Sequence, residues 1–137
     1  MMNIPRLVGI GCDLVDTQRI EKSMQSLGDP FIRRILTPLE YNEYVVRSSK
    51  SWQRGVLFVA SRFAAKEALS KALGTGVGEK LSFQDVSVLN LDSGKPVFEF
   101  SATWLSRAEH DQLNAEVSLS DTDHLAMAMV VVVRTAQ

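Results

Sequence analysis

Apolar residues along the chain fall into short β-rich runs and into helical spacings, and the two kinds alternate irregularly. Residues 7–15 are apolar and β-rich, interrupted by Gly9 and Gly11, which predicts a strand that delivers Asp13 near its C-terminal end. Thr17 then precedes Ile20, Met24 and Leu27 at helical spacing, with Gly28 as a stop, so a short helix exposing Arg19 and Lys22 is expected. Thr37-Pro38-Leu39-Glu40 combines an N-cap, a proline at the first helical position and a capping-box glutamate, and predicts a helix to about Arg47. Residues 52–73 carry Val56, Val59, Phe63, Ala64 and Leu69, contain no proline and stop at Gly74, and should form the longest helix. Residues 83–91 and 96–100 flank Asp92, Ser93 and Gly94, the pattern of a hairpin. Residues 102–113 look helical, and strands are expected near 116–119 and 125–133. Helices and antiparallel strands in this order imply an α+β domain, an antiparallel sheet packed against helices with one long central helix, rather than a doubly wound sheet.

At 137 residues the chain suits a single domain, 1–137, small enough that burial is incomplete when it stands alone, so oligomerisation is open. Its 15 basic and 16 acidic side chains nearly cancel, and any basic surface must be local. A nucleic-acid-binding role would need a clustered basic surface and stacking aromatics, which a net charge of −1 and 7% aromatic residues do not supply. A single cysteine, Cys12, excludes an intramolecular disulfide and a multi-cysteine zinc site, and fits a reducing compartment. Residues 1–6 lack the features of a signal peptide, so a cytoplasmic location is expected. The longest apolar run, residues 125–133, is far short of the roughly 20 residues a membrane-spanning helix needs. It reads as a buried strand, and no membrane partner is expected.

Three segments carry candidate chemistry: Gly9-Ile10-Gly11-Cys12-Asp13-Leu14-Val15, Arg62-Phe63-Ala64-Ala65-Lys66-Glu67-Ala68, and Lys71 with the glycine-rich Gly74-Thr75-Gly76-Val77-Gly78. Mg²⁺ prefers oxygen ligands and commonly bridges one or two carboxylates to substrate phosphates, and Asp13 and Glu67 could supply that pair. Equally, Glu67 could pair with Lys71 at i,i+4 on a solvated helix face. Arg62 and Lys71 could neutralise phosphate oxygens, while the glycines would let backbone N–H groups approach a polyanion or would simply cap the helix. The glycine run is no Walker A loop, because it follows a helix and lacks the terminal Gly-Lys-Ser/Thr.

These three segments, with their order and spacing, resemble the signatures of bacterial holo-acyl-carrier-protein synthases of the 4′-phosphopantetheinyl transferase family. The likeness continues through Leu81-Ser82-Phe83-Gln84-Asp85-Val86, Gly94-Lys95-Pro96 and the valine-rich last strand, so it covers essentially the whole chain. The resemblance implies an enzyme that moves the 4′-phosphopantetheine of coenzyme A onto a serine of an apo acyl carrier protein, releasing adenosine 3′,5′-bisphosphate in support of fatty acid biosynthesis. It implies that Asp13 and Glu67 hold Mg²⁺, that Asp13, Glu67 and Lys71 are catalytic, and that Arg62, Lys71, Gly74 and Gly76 engage coenzyme A. It further implies a homotrimer with sites between neighbouring subunits, and an acidic carrier gripped by a local basic patch containing Arg19 and Arg54, with Met24 as an apolar anchor. The chain departs from the commonest family pattern at Cys12, where many members have threonine, and at Ser120-Asp121-Thr122, where many carry histidine between the hydroxyl residues. A carrier or coenzyme A binding module without turnover is the competing reading.

Overall fold

The computed structural model describes residues 4–107, 110 and 112–135. Its element order is β1 (Arg6–Asp16), α1 (Thr17–Leu27), α2 (Asp29–Ile35), α3 (Pro38–Lys50), α4 (Trp52–Leu73), a 3₁₀ turn (Phe83–Asp85), β2 (Val86–Asn90), β3 (Pro96–Phe100), α5 (Ala102–Leu105), β4 (Leu113–Asp121) and β5 (Leu125–Arg134). The strands form two antiparallel sheets among the described residues, one of order β1-β5-β4 and the hairpin β2-β3. The class is α+β, as expected.

α4 is the spine of the molecule. It is buried on nearly every side, with Val56, Val59, Ala60, Ala64, Ala68 and Leu69 all at 1% exposure or less, as a helix wrapped by other elements must be. It lies across β1 and β5. Two glycines in β1 permit this closeness: a Cβ on Gly9 would meet the Ala72 carbonyl oxygen at 2.0 Å, and one on Gly11 would meet that of Ala68 at 2.1 Å. Alanines on the helix and glycines on the strand thus bring two backbones together, and no larger side chain fits between them.

β5 departs from its expected burial. Ala126, Ala128, Val130 and Val132 face α4 and are buried, whereas Leu125, Met127 and Met129 point away and are exposed. A strand in a sheet covered on one side buries alternate residues only, however apolar its whole sequence. β1 follows the same rule, with Ile10 65% and Leu14 63% exposed on the uncovered face, where Cys12 pairs with Met129 and Leu14 with Met127 across the ladder.

α3 begins at the expected capping box, with Thr37 and Glu40 satisfying each other's backbone, and runs to Lys50. α2 is a helix the periodicity did not show: seven residues started by Asp29-Pro30 after Gly28 turns the chain at φ 69°, too short for a hydrophobic stripe. The helix expected over 102–113 is confined to Ala102–Leu105, because Leu113 already belongs to β4. Residues 108, 109 and 111 of that expectation lie outside the described residues. Residues 83–85, expected to be strand, instead form a 3₁₀ turn closed by a Ser82/Asp85 capping box.

Candidate active site

Asp13 stands on the α4-facing side of β1, two residues beyond Gly11, where the strand crosses the last two turns of the long helix. Lys71, near the end of α4, donates from Nζ to the Asp13 carboxylate and to the Cys12 carbonyl, each at 3.0 Å. The two chain segments are thereby joined by an ion pair, and the hydrogen bond and charge of Asp13 hold the Lys71 ammonium above its ordinary pKa. The i,i+4 pairing of Glu67 with Lys71 does not form: among the described residues, no ion pair within 4.0 Å involves Glu67. Glu67 opens instead, with Asp13 and Arg19, onto a groove of about 490 Å³ bordered by Phe31 and Phe63. A second hollow of about 500 Å³ shares Phe31, Phe63 and Glu67 and extends past Arg34 to Val77 and Phe83. Burial first, and then the negative charge of Asp13, raise the Glu67 pKa, while Lys71 opposes the rise.

The donor set suits a hard divalent cation. Two carboxylates from different elements share a groove wall and raise one another's energy, so a cation between them would relieve their repulsion. No group of three or more His, Cys, Asp or Glu exists among the described residues, and Mg²⁺ needs none, because it keeps water and takes substrate phosphate oxygens for the rest of its shell.

Arg62 occupies a different side of α4. Only 3% exposed, it lies over the Phe58 ring, 4.1 Å from the centroid, and donates to Val88 O at 3.3 Å and Asn90 Oδ1 at 2.6 Å. Desolvation lowers its pKa to about 10. It lines a pocket of about 560 Å³ together with Arg47, Lys50, Arg54 and Asp121. Arg47 and Lys50 escaped notice in the sequence because basic residues in a helix's last turn commonly serve only the helix dipole. Arg62 is thus not brought together with Asp13, Glu67 and Lys71 within one chain, and Arg54 lies with Arg62 rather than with Arg19.

Two further expectations change. Met24 is 3% exposed, on the inward stripe of α1 with Thr17 and Ile20, so it is a core residue and offers no anchor to a partner. In the glycine-rich segment, the N–H groups of Gly74, Thr75 and Gly76 turn back to Lys71 O and Ser70 O, and that of Gly78 reaches Leu81 O. They close the end of α4 and are not free to cradle an anion. Gly74 and Gly76 keep positive φ angles of 76° and 67° with open space where a side chain would be, and so leave room for a ligand beside the helix end.

A sequence model described as the 4′-phosphopantetheinyl transferase superfamily matches residues 9–130. The chain is 41% identical over 131 residues to a holo-[acyl-carrier-protein] synthase of Maricaulis maris, covering 91% of this chain and 88% of that one. It is 44% identical to the corresponding protein of Bacillus velezensis, covering 96% and 99%. A structure of a holo-(acyl-carrier-protein) synthase from Bacillus anthracis in complex with CoA (3′,5′-ADP) superimposes with a TM-score of 0.78 at 40% identity, over 94% of this chain and 98% of that chain.

Proposed function

The chain belongs to the 4′-phosphopantetheinyl transferase superfamily, and from that premise and its site we infer that it is a holo-acyl-carrier-protein synthase. It transfers 4′-phosphopantetheine from coenzyme A to a serine of an apo acyl carrier protein. The serine oxygen gives up its proton to solvent and forms a bond to the β-phosphorus of coenzyme A, the bond from that phosphorus to the bridging oxygen breaks, and adenosine 3′,5′-bisphosphate departs with that bond's electron pair. The observation that carries this reading is the meeting of Asp13 and Glu67, from two separate elements, at one groove, with Lys71 ion-paired to Asp13 beside it.

Phosphoryl transfer is mainly a problem of positioning and of neutralising charge. Asp13 and Glu67 are the residues that would hold Mg²⁺, which when bound supplies a positive charge to the pyrophosphate oxygens. Lys71 adds a cation beside the groove, held by Asp13 so that it need reorganise little as charge develops. Arg19, in the groove wall beside the two carboxylates, faces the side from which an acidic carrier must bring its serine. The Arg62 pocket, lined by Arg47, Lys50, Arg54 and Arg62 against Asp121 and Glu43, the latter paired with Arg47, keeps an excess of cations that suits the phosphates at the nucleotide end of coenzyme A. Asp121 shares that pocket and, as a carboxylate, is an acceptor there rather than a donor to phosphate.

The separation of Arg62 from the carboxylate pair supports a homotrimer in which the groove of one subunit is completed by the basic pocket of the next. So does the uncovered apolar face of the β1-β5-β4 sheet. A cytoplasmic location fits a coenzyme A substrate, and no described helix is long and apolar enough to cross a membrane.

The test is to incubate the protein with apo acyl carrier protein, coenzyme A and Mg²⁺ and to weigh the carrier by mass spectrometry. A gain of one phosphopantetheine is expected. No gain on any acidic carrier tried would favour a binding module without turnover.

A further inference from the structure

α2 ends in an unusual way. The carbonyls at a helix C-terminus have no partner within the helix and usually turn to water or to the following backbone. Here two side chains from elsewhere in the fold collect four in succession. The Gln84 side-chain amide donates from Nε2 to Arg33 O at 3.0 Å, Arg34 O at 3.2 Å and Leu36 O at 3.0 Å. Lys66 Nζ donates to the remaining one, Ile35 O, at 2.8 Å. The Gln84 amide carries two hydrogens and faces three oxygens, so at least one hydrogen is shared, and the reversed amide would set oxygen against oxygen. Neither donor belongs to a neighbouring residue: Gln84 comes from the 3₁₀ turn after α4, and Lys66 is the residue preceding Glu67.

This arrangement bears on the groove. α2 supplies Phe31 and Arg34, which stand opposite Phe63 and Glu67 across the second hollow. α2 is too short to hold its own place by helical cooperativity. The placement of Phe31 and Arg34 relative to Glu67 therefore depends on the clasp at its C-terminal end, half of which is built on the same turn of α4 as Glu67 itself.

We propose that Gln84 is a positioning residue for carrier recognition: with Lys66 it clasps the C-terminus of α2 and so sets the groove wall of Phe31 and Arg34 at a fixed spacing from Glu67. This rests on the function proposed above. It assigns to Gln84 a larger effect on the acidic carrier than on coenzyme A, whose nucleotide end is assigned to the Arg62 pocket and whose pyrophosphate alone reaches Glu67.

The test uses the full chain with Gln84→Met, which keeps length and flexibility but removes the donor, and Gln84→Lys, which restores a donor suited to a helix C-terminus. Lys66→Met is avoided because it would strand the Glu40 carboxylate in the core. Hydrogen exchange over residues 29–36 is read in the absence of any substrate, and the Michaelis constants for apo acyl carrier protein and coenzyme A are read separately, at low and at high salt. Gln84→Met should speed exchange in that segment and raise the carrier constant by about threefold to tenfold, with the coenzyme A constant rising by clearly less. Gln84→Lys should return both observables toward wild type, and at high salt as well, where an added surface charge no longer attracts the carrier. An unchanged carrier constant in a Gln84→Met protein that turns over would overturn this inference and leave the proposed function standing. So would a parallel rise in both constants with a lowered Tm, the mark of general loosening. A wild-type protein that transfers nothing to any carrier would overturn both.

Discussion

Burial beside Asp13 makes Glu67 a carboxylate that the fold stabilises best in its protonated form. Because its folded pKa lies above the ordinary glutamate value, the native state binds the proton more tightly than the unfolded chain. Its contribution to stability is therefore best below the unfolded pKa and declines as pH rises through the folded one. The side chain is partly solvated, so the cost at neutral pH is under about 1 kcal/mol. Glu67→Gln should raise Tm at pH 7 by up to about 4 °C, an advantage that vanishes below about pH 4, and should abolish transfer. Thermal melts across pH, with transfer measured in parallel, check both halves; an unaltered transfer rate at saturating Mg²⁺ would remove Glu67 from the metal pair. Asp13→Ala should likewise abolish transfer without unfolding the chain. Mg²⁺ should raise the wild-type Tm and lift neither variant's, because each lacks one of the two proposed ligands.

At the scale of elements, the site depends on two contacts that tolerate no substitution. A methyl group on Gly11 would lie 2.1 Å from the Ala68 carbonyl and 2.8 Å from the Ala72 nitrogen, both backbone atoms that cannot rotate aside. Gly11→Ala should therefore push β1 off α4 and destabilise the fold by about 3 kcal/mol, measured by urea denaturation, with Asp13 displaced from Lys71 and transfer lost even where the chain still folds. The second contact is the ion pair of Lys66 and Glu40, at 2.6 Å and 1% and 0% exposed. Lys66 Nζ is fully satisfied by Glu40, Ile35 O and Phe83 O, and Glu40 also accepts from Thr37 N and Val88 N. Burial lowers the Lys66 pKa, with Glu40 opposing. Removing one charge leaves the other in the core, so Lys66→Met should cost about 3–5 kcal/mol, and a variant replacing both residues with apolar ones should cost less. These contacts also show how far the sequence could be read. α3 and α4 were legible because Thr37-Pro38-Leu39-Glu40 and the break at Gly74 mark their limits in local chemistry. Asp13, Glu67 and Lys71 were legible as candidates, but the choice between a Glu67–Lys71 pair and an Asp13–Lys71 pair depended on a strand crossing a helix 58 residues away in the chain, which no local pattern encodes. Lys66 showed nothing of its burial, since a lysine beside a glutamate on a helix reads as surface until its partner on another helix is known. Met24 shows the converse: an apolar residue among basic ones reads as an anchor, whereas the i, i+3, i+7 stripe from Thr17 turns it inward.

The whole molecule poses the question of where one site ends and the next subunit begins. Within a single chain the carboxylate groove and the Arg62 pocket are lined by different residues on different sides of α4, yet coenzyme A must present its pyrophosphate to one and, on the proposed reading, its nucleotide phosphates to the other. The sheet face bearing Ile10, Leu14, Met127 and Met129 is apolar and uncovered, the kind of surface that commonly marks a protein contact. A cyclic trimer formed over that face would satisfy both facts, since a closed ring of head-to-tail contacts sets one subunit's groove against its neighbour's pocket three times. Sedimentation should accordingly give a trimer, and Leu14→Arg should dissociate it with loss of transfer, whereas an active monomer at working concentration would refute the assembly. Subunit mixing makes the sharper test. Asp13→Ala spoils only the groove, and Arg62→Gln only the pocket, so each variant alone should be inactive at low coenzyme A. If every site takes its groove from one subunit and its pocket from the next, unfolding and refolding the two together in equal amounts pairs an intact groove with an intact pocket in about one site in four. Transfer should then recover to about a quarter of the wild-type rate. Were groove and pocket parts of one subunit's own site, no mixture could assemble an intact one, and the mixed sample would stay as inactive as its components.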